Sequence, residues 1–239
     1  MTTNDVGTIA SKTTPSQITR LLLVIAMIGA IGGVIADVLS GWSPDAGHMA
    51  SAVSVDLDSV RALLINKSRW EYVAGGMVGL FLIPLEMAGI ALVAEALERN
   101  SATVAWVFRV TGMYLVALGA AYHGTFAFVT DIIQSGDTAL LGAVVAYWQP
   151  FGYVIVCGYV LWSAVLAGLI LGGRTAYPRR VALLSPLALL LLGGVFVALL
   201  PPAMNGVRNF IVVTGLNLPL AVFFMVTGHV LKRTGTRPS

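Results

Sequence analysis

The sequence predicts an all-α protein, a polytopic transmembrane helical bundle. Of its 239 residues, 57% are hydrophobic and only 10% are charged, whereas about a quarter of the residues are charged in a typical soluble domain. Apolar runs of roughly twenty residues recur along the chain, and this length crosses a hydrocarbon core about 30 Å thick. We expect six spans, or seven if one short apolar segment also crosses.

The chain divides into three parts. Residues 1–17 are polar and rich in Thr and Ser, which predicts a disordered tail. Residues 18–231 form one transmembrane helical domain, and residues 232–239 are a basic tail. The first span is expected to be retained rather than cleaved as a signal peptide, because no small-residue cleavage site follows it. The six spans are expected at 18–39, 70–94, 103–130, 151–172, 181–200 and 209–231.

A loop over 41–69 follows the first span. Its segment "DLDSVRALLINK" (56–67) places Val60, Leu63 and Leu64 on one helical face, which predicts a short surface helix. Trp42 and Trp70 stand at the two ends of the loop, where an aromatic belt at the membrane boundary is expected.

A second short segment is "TALLGAVVAYW" (138–148). It ends at Gln149-Pro150 and is too short to cross the hydrocarbon core. We interpret it as a re-entrant or interfacial helix that leads into the fourth span.

The distribution of Lys and Arg predicts the orientation. With six spans and a cytoplasmic N-terminus, ten of the 14 basic residues lie inside and four outside, as the positive-inside rule requires. Seven spans with the N-terminus outside give nine against five, so the length of 138–148 decides for six. We therefore expect a multi-pass membrane protein with both termini in the cytoplasm.

Composition and motifs exclude several function classes. The basic residues flank apolar spans and no basic run with interleaved aromatics occurs, so a nucleic-acid partner is not expected. The sequence has no Walker loop or dinucleotide glycine fingerprint, and its single cysteine, Cys157, lies in an apolar run. His48, His123 and His229 are far apart, so no metal site and no cofactor are expected. A membrane lipid or a hydrophobic small molecule is the expected partner, and the oligomeric state is left open.

The polar residues within the spans gather toward the predicted outer half. They come from segments that are distant in sequence: Asp37, Glu71, His123, Asp131, Gln149, Arg208, Asn209 and Asn217. Glu86 lies deeper, beside Pro84. An ionisable residue inside a span is costly and therefore a candidate for function.

Glycines share helical faces with these ionisable residues. Gly29 and Gly33 precede Asp37 at spacings of four, Gly75 and Gly79 follow Glu71 in the same way, and Gly112 and Gly119 precede His123. Small residues at this spacing let helices approach closely, so the ionisable groups are expected to point into the bundle. The same stripes also serve as ordinary packing devices, and a buried Asp or His can simply bond another helix.

Three stretches resemble an uncharacterised family of small bacterial polytopic membrane proteins. They are "GAIGGVIADVL" at the end of the first span, "GAAYHGTFAF" in the third, and "TAYPRRVALLSPLALLLLG" at the fifth. The resemblance covers most of the chain and implies a bacterial plasma membrane location. It also implies that Asp37 and the Tyr122-His123 pair belong to one shared architecture.

A more local resemblance concerns "NKSRWEYVAGG" (66–76), which is similar to the Trp-Glu start of a helix in the small membrane-embedded terpene cyclases. In that family a buried acid protonates an epoxide or alkene, so the resemblance implies that Glu71 is the proton donor with Trp70 beside it. The second carboxylate that the family carries in a late helix is missing here, where the sixth span offers Asn209 and Asn217.

The first functional hypothesis is a membrane-embedded enzyme or binding protein for a lipid-like or isoprenoid molecule in an outward-facing cavity. Glu71 would be the acid, His123 the base or orienting group, and Asp37 and Asp131 would tune them. The expected substrate-binding residues are Trp70, Tyr122, Gln149, Arg208, Asn209 and Asn217, although Arg208 with its neighbours fits an anionic headgroup or a boundary anchor equally well.

Two alternatives remain from the sequence. One is a small proton-coupled transporter in which Glu86 extends the proton path and the Pro84 and Pro219 kinks act as hinges. The other is an accessory subunit of a membrane complex that has no chemistry of its own. Mutual satisfaction of all the buried polar groups would favour the accessory subunit.

Overall fold

The fold is a bundle of α-helices. The computed structural model describes residues 15–44, 57–65 and 67–235, and within these ranges no β-strand occurs. The prediction of an all-α protein is confirmed. The helices are α1 (Pro15–Gly41), α2 (Leu57–Leu64), α3 (Arg69–Leu82), α4 (Met87–Leu97), α5 (Ala102–Ser135), α6 (Thr138–Gly172), α7 (Pro186–Leu199), α8 (Asn205–Val213) and α9 (Asn217–Gly235).

The two predicted tails fall mostly on residues 1–14 and 236–239, which lie outside the described residues. Where the structure describes their inner ends, they are helical, since α1 begins at Pro15 and α9 continues to Gly235. The surface helix expected in the first loop is present as α2, while residues 45–56 and 66 of that loop lie outside the described part.

Four segments are long and apolar enough to cross a membrane: 17–41, 69–97, 102–135 and 138–172. A fifth arises if α8 and α9, which meet at a bend of 59°, are counted as one broken span. The helix α7 has 14 residues and is therefore only about 21 Å long. The chain is thus compatible with a multi-pass membrane protein. Helix length and composition give four to five spans among the described residues, and do not confirm the predicted six.

The segment 138–148 is not a separate short helix, and this prediction was wrong. It is the first part of α6, a continuous helix of 35 residues that contains Pro150. The Asp137 side chain caps the start, accepting from the Leu140 amide at 2.9 Å. Proline removes one helical hydrogen bond, but packing holds the helix together across it, since the ring of Trp148 stacks on Tyr122 of α5 at 4.7 Å.

A real break occurs in the second span. Between α3 and α4 the chain forms a 3₁₀ turn over Ile83–Glu86 that contains Pro84. Proline at this position lacks the amide hydrogen needed to continue the α-helical ladder. The turn places Glu86 at the junction of the two half-helices, in the middle of the bundle.

Glycines allow the close approach of helices at this level, as their spacing predicted. A Cβ on Gly29 would lie 2.6 Å from the backbone nitrogen of Glu86, and one on Gly33 would lie 2.6 Å from the side chain of Asn217. Gly119 differs, because no atom lies within 4 Å of the position of its Cβ. That glycine borders empty space instead of a neighbouring helix.

Two apolar clusters lie at different levels of the bundle. The larger one includes Ala26, Val93, Leu166 and Phe224 and packs α1, α4, α5, α6 and α9 together toward the end where α1 begins. The smaller one, with Leu64 and Ile133, packs α2 against the end of α5 and the start of α6. The polar residues Asp37, Glu86, His123 and Asn217 lie between these clusters.

Candidate functional site

A cavity of about 550 Å³ lies inside the bundle between the two apolar clusters. Every helix except α2 and α3 contributes to its walls, together with the 3₁₀ turn that carries Glu86. Its polar and aromatic lining consists of Asp37, Ser40, Glu86, Tyr122, His123, Phe126, Trp148, Tyr153, Tyr159, Trp162 and Asn217. A volume of this size is in the range of small-molecule sites.

Three of these residues form a hydrogen-bonded group that joins three helices. The Nε2 of His123 lies 3.2 Å from Oδ1 of Asp37, and Nδ2 of Asn217 donates to Oδ2 of Asp37 at 2.8 Å. All three residues lie in the cavity wall, and each is about nine-tenths buried. Asp37 therefore orients the imidazole and can share a proton with it.

Glycines on two helices make room for this group. A Cβ on Gly79 would lie 2.5 Å from Cβ and Cγ of His123, and one on Gly33 would overlap Asn217. The other imidazole nitrogen, Nδ1, faces the Gly79 side and is buried without a hydrogen-bond partner. The ring is thus held between α3 and Asp37, with little freedom to rotate.

Glu86 lies in the same cavity but outside the hydrogen-bonded group. Its side chain is 1% exposed, and its Oε1 is buried with no hydrogen-bond partner. A buried carboxyl group is normally paired or hydrogen-bonded because its desolvation is costly. Among the described residues, Glu86 is one of three lining side chains, with Ser40 and His123, that have a buried polar atom without a hydrogen-bond partner.

Aromatic rings from α5 and α6 form one wall. Tyr122 and Trp148 are stacked, and Phe126 meets both edge-on at centroid distances of 5.4 and 5.5 Å. Deeper in the cavity, the hydroxyl of Tyr159 donates to the carbonyl of Leu216 at 3.0 Å. This bond crosses from α6 to the bend between α8 and α9 and helps to hold the cavity open between them.

The cavity reaches the surface of the bundle along α6. Tyr153 and Val156 line it and are 50% and 43% exposed. On this side α6 packs along α5, and the cavity separates it from α1 and α9. An elongated apolar molecule could therefore enter sideways between helices.

The profile of a protein family of unknown function, DUF6796, matches residues 9–233. The chain belongs to this family. The match extends over nearly the whole sequence and agrees with the resemblance to an uncharacterised family. No curated protein and no solved structure matches the chain significantly. The family therefore supplies no activity for this cavity.

Glu71, the acid expected from the sequence, does not lie in the cavity. Its carboxylate accepts from the Ser68 amide and hydroxyl at the start of α3 and lies 3.7 Å from Nζ of Lys67. The residues form a capping box that satisfies free amides of the first turn. Burial lowers the pKa of the Lys67 ammonium, although Glu71 acts in the opposite direction. Trp70, beside it, is largely exposed.

Asp131 and Gln149 also lie outside the cavity. Asp131 accepts from the hydroxyl of Tyr72 at 2.6 Å and lies 3.5 Å from Nε of Arg69, so it ties the end of α5 to the start of α3. Gln149 is half-buried on α6 and is not part of the lining. The structure thus does not bring either of them to His123.

Arg208 and Asn209 hold the end of the bundle together instead of lining the cavity. The guanidinium of Arg208 donates to the carbonyl of Val197 and to Asn205 Oδ1, each at 3.1 Å. Asn209 is fully buried and its Oδ1 accepts from the Ser43 amide at 2.7 Å. These bonds favour the boundary anchor over the headgroup site, the two roles that the sequence left open for Arg208.

Of the residues expected at the site, Asp37, Tyr122, His123, Asn217 and Glu86 are brought together. Sequence reasoning missed Ser40, although it follows Asp37 by three residues on the same helical face. It also missed the aromatic wall at Trp148, Tyr159 and Trp162, because aromatic residues in an apolar span look the same whether they face lipid or a cavity. Among the described residues, no group of three or more His, Cys, Asp and Glu side chains could hold a metal ion.

Proposed function

We propose that the protein is a membrane-embedded enzyme or binding protein whose cavity takes a lipid-like or isoprenoid small molecule. The observation that carries this proposal is the cavity of about 550 Å³, with apolar and aromatic walls and the Asp37–His123–Asn217 group on one side. An apolar site with a few convergent polar groups is the usual form of a small-molecule site. The exposed positions of Tyr153 and Val156 on α6 support entry from the bilayer.

In this proposal the acid–base role belongs to the pair of Asp37 and His123, and not to Glu71. An imidazole held by a carboxylate 3.2 Å away can take up and return a proton while its ring stays oriented. Asn217 occupies the remaining oxygen of Asp37 and fixes the direction of the carboxylate. Such a pair suits proton transfer to or from a bound molecule.

We also propose a topology of six segments that alternate in direction, with both termini in the cytoplasm. Contacts between helix ends support the alternation, and the distribution of Lys and Arg supports the orientation. Although α7 is short, the bond from Arg208 to Val197 places its end beside α8. Trp42 Nε1 donates to the carbonyl of Gly206 at 2.8 Å, which places the start of α8 beside the end of α1. A bacterial plasma membrane location, which the resemblance noted in the sequence implies, is part of the same proposal.

One observation favours the alternative of a proton-coupled transporter. Two cavity residues lie at helix breaks, Glu86 at the junction of α3 and α4 and Asn217 at the bend before α9. Broken helices often carry the binding sites of transporters. Against it, the larger apolar cluster fills the bundle on the α1-start side of the cavity, and a transport path would have to cross that cluster. The unpaired Glu86 also counts against a purely accessory role.

The test is lipid mass spectrometry of the purified protein and of the expressing cells, with wild type, Asp37→Asn, His123→Ala and Glu71→Gln. A lipid that is produced or altered by the wild type but not by the two cavity variants supports catalysis. A ligand retained equally by all of them supports binding without chemistry. Loss of the effect in Glu71→Gln alone would show that Glu71 is the acid, as the sequence predicted. If neither the wild type nor any variant carries or alters a lipid, the proposal is contradicted, and proton transport in liposomes would be measured next.

A further inference from the structure

We propose that the ligand of this cavity is an organic cation, an amine or quaternary ammonium group attached to an apolar body, with Glu86 as its counter-ion. The inference rests on the proposed function, because it names the chemical class of the molecule that the cavity would take. Three features carry it: the charge of the lining, the unpaired carboxyl of Glu86 and the orientation of the aromatic groups.

The lining is acidic. It contains the carboxyl groups of Asp37 and Glu86, while no Lys or Arg is among the described residues that form it. Asp37 and His123 are neutral as a pair when they share one proton, so the positive charge of an imidazolium is already balanced. With Glu86 ionised, the cavity then holds one uncompensated negative charge.

Glu86 is placed to receive a positive partner. Both carboxylate oxygens of Asp37 are already occupied, by His123 and Asn217. In contrast, Oε1 of Glu86 has no partner and the side chain is almost completely buried. A buried charge without a partner is costly, and an ammonium group in the cavity would supply the missing counter-charge.

Three of the hydrogen-bond donors in the aromatic wall are not available to an anion. The Nε1–H of Trp148 donates to Thr125 at 2.6 Å, that of Trp162 to a backbone carbonyl of α5 at 3.2 Å, and the Tyr159 hydroxyl to the Leu216 carbonyl at 3.0 Å. These donors are used within the protein. The ring surfaces that line the cavity attract cations, most strongly when the cations are shielded from water.

The experiment compares three probes with the same decyl chain: decyltrimethylammonium, its neutral isostere with carbon in place of nitrogen, and decyl sulfate. The purified full-length protein in maltoside micelles is titrated with each probe while tryptophan fluorescence is followed, since Trp148 and Trp162 line the cavity. We expect the ammonium probe to bind at least tenfold more tightly than the isostere and the sulfate not to bind measurably. In Glu86→Gln the preference should fall to less than threefold.

Glu98→Gln is the matched control, because Glu98 is an exposed carboxylate 3.6 Å from Arg109 and outside the cavity. Equal binding of the ammonium probe and the isostere by the wild type would overturn the inference but leave the proposed lipid site standing. This comparison uses the wild type alone, so it does not depend on whether the variants fold. A preference that persists in a folded Glu86→Gln would also overturn the role of Glu86. If no probe binds the wild type saturably, the proposed ligand site itself is wrong.

Discussion

Asn217 at the start of α9 and Asp37 near the end of α1 are joined by a hydrogen bond of 2.8 Å, across a distance of 180 residues in sequence. The contact is direct because Gly33, one turn before Asp37, has no side chain. Since Asp37 also lies 3.2 Å from His123, this single carboxylate connects three helices. The stability of the bundle and the position of the imidazole are therefore coupled at one point.

Gly33→Ala should separate α9 from α1. The added Cβ would lie 2.6 Å from Asn217 Cγ, so the asparagine has to move and its bond to Asp37 is lost. Overpacking of this kind costs about 1–3 kcal/mol. We expect a lower unfolding temperature in maltoside micelles, measured by intrinsic fluorescence. Gly168→Ala is the control, because no atom lies within 4 Å of its Cβ position, and an equal loss in the control would contradict the packing argument.

Asp37 and His123 should be energetically coupled. A double-mutant cycle with Asp37→Asn and His123→Gln should give an interaction energy of about 1–3 kcal/mol, since directly contacting buried polar groups are not independent. The free energy of unfolding would be measured by denaturant titration in mixed micelles. The same cycle on the exposed Glu98–Arg109 pair, 3.6 Å apart, should give less than about 1 kcal/mol. Additive effects at the first pair would mean that no bond joins the two residues.

Asn209→Ala should destabilise the protein without changing the ligand. The substitution removes the acceptor of the buried Ser43 amide, and an unsatisfied buried donor costs about 1–3 kcal/mol. The variant should therefore unfold at lower temperature but retain the same copurifying lipid, since Asn209 is not in the cavity lining. A changed lipid profile at unchanged stability would instead support its sequence-based assignment to substrate binding.

Ser68→Ala and Glu71→Gln should have similar effects that do not add. Both residues belong to one capping box at the start of α3, and loss of a cap costs about 0.5–2 kcal/mol. The double variant should be destabilised about as much as the more severe single variant, because both changes act on the same hydrogen bond from the Ser68 hydroxyl to the Glu71 carboxylate. Thermal unfolding of the three variants checks this. Two fully additive losses would show that Glu71 acts elsewhere.

The sequence by itself determined the class of the protein. Runs of apolar residues predict helices that are long and apolar enough to cross a membrane, where only internally hydrogen-bonded segments are stable. The spacing of Gly29, Gly33 and Asp37 also predicted close helix approach and an inward-facing carboxyl group. The sequence also singled out His123 and Glu86, the ionisable residues deepest in the spans, because burying such groups is costly. Both lie in the cavity lining.

The tertiary structure alone decided which polar residues meet. From the sequence Glu71 was the expected acid, and Asp131 had the same tuning role as Asp37. In the structure Glu71 caps a helix and Asp131 ties two helix ends, because each stands near the end of its helix, where free amides or neighbouring side chains are in reach. Pro150 looked like a boundary, yet packing on α5 carries the helix through it. The partners of a side chain depend on how helices rotate and approach one another. That is set by contacts between residues far apart in sequence, from 59 positions for Tyr72 and Asp131 to 180 for Asp37 and Asn217.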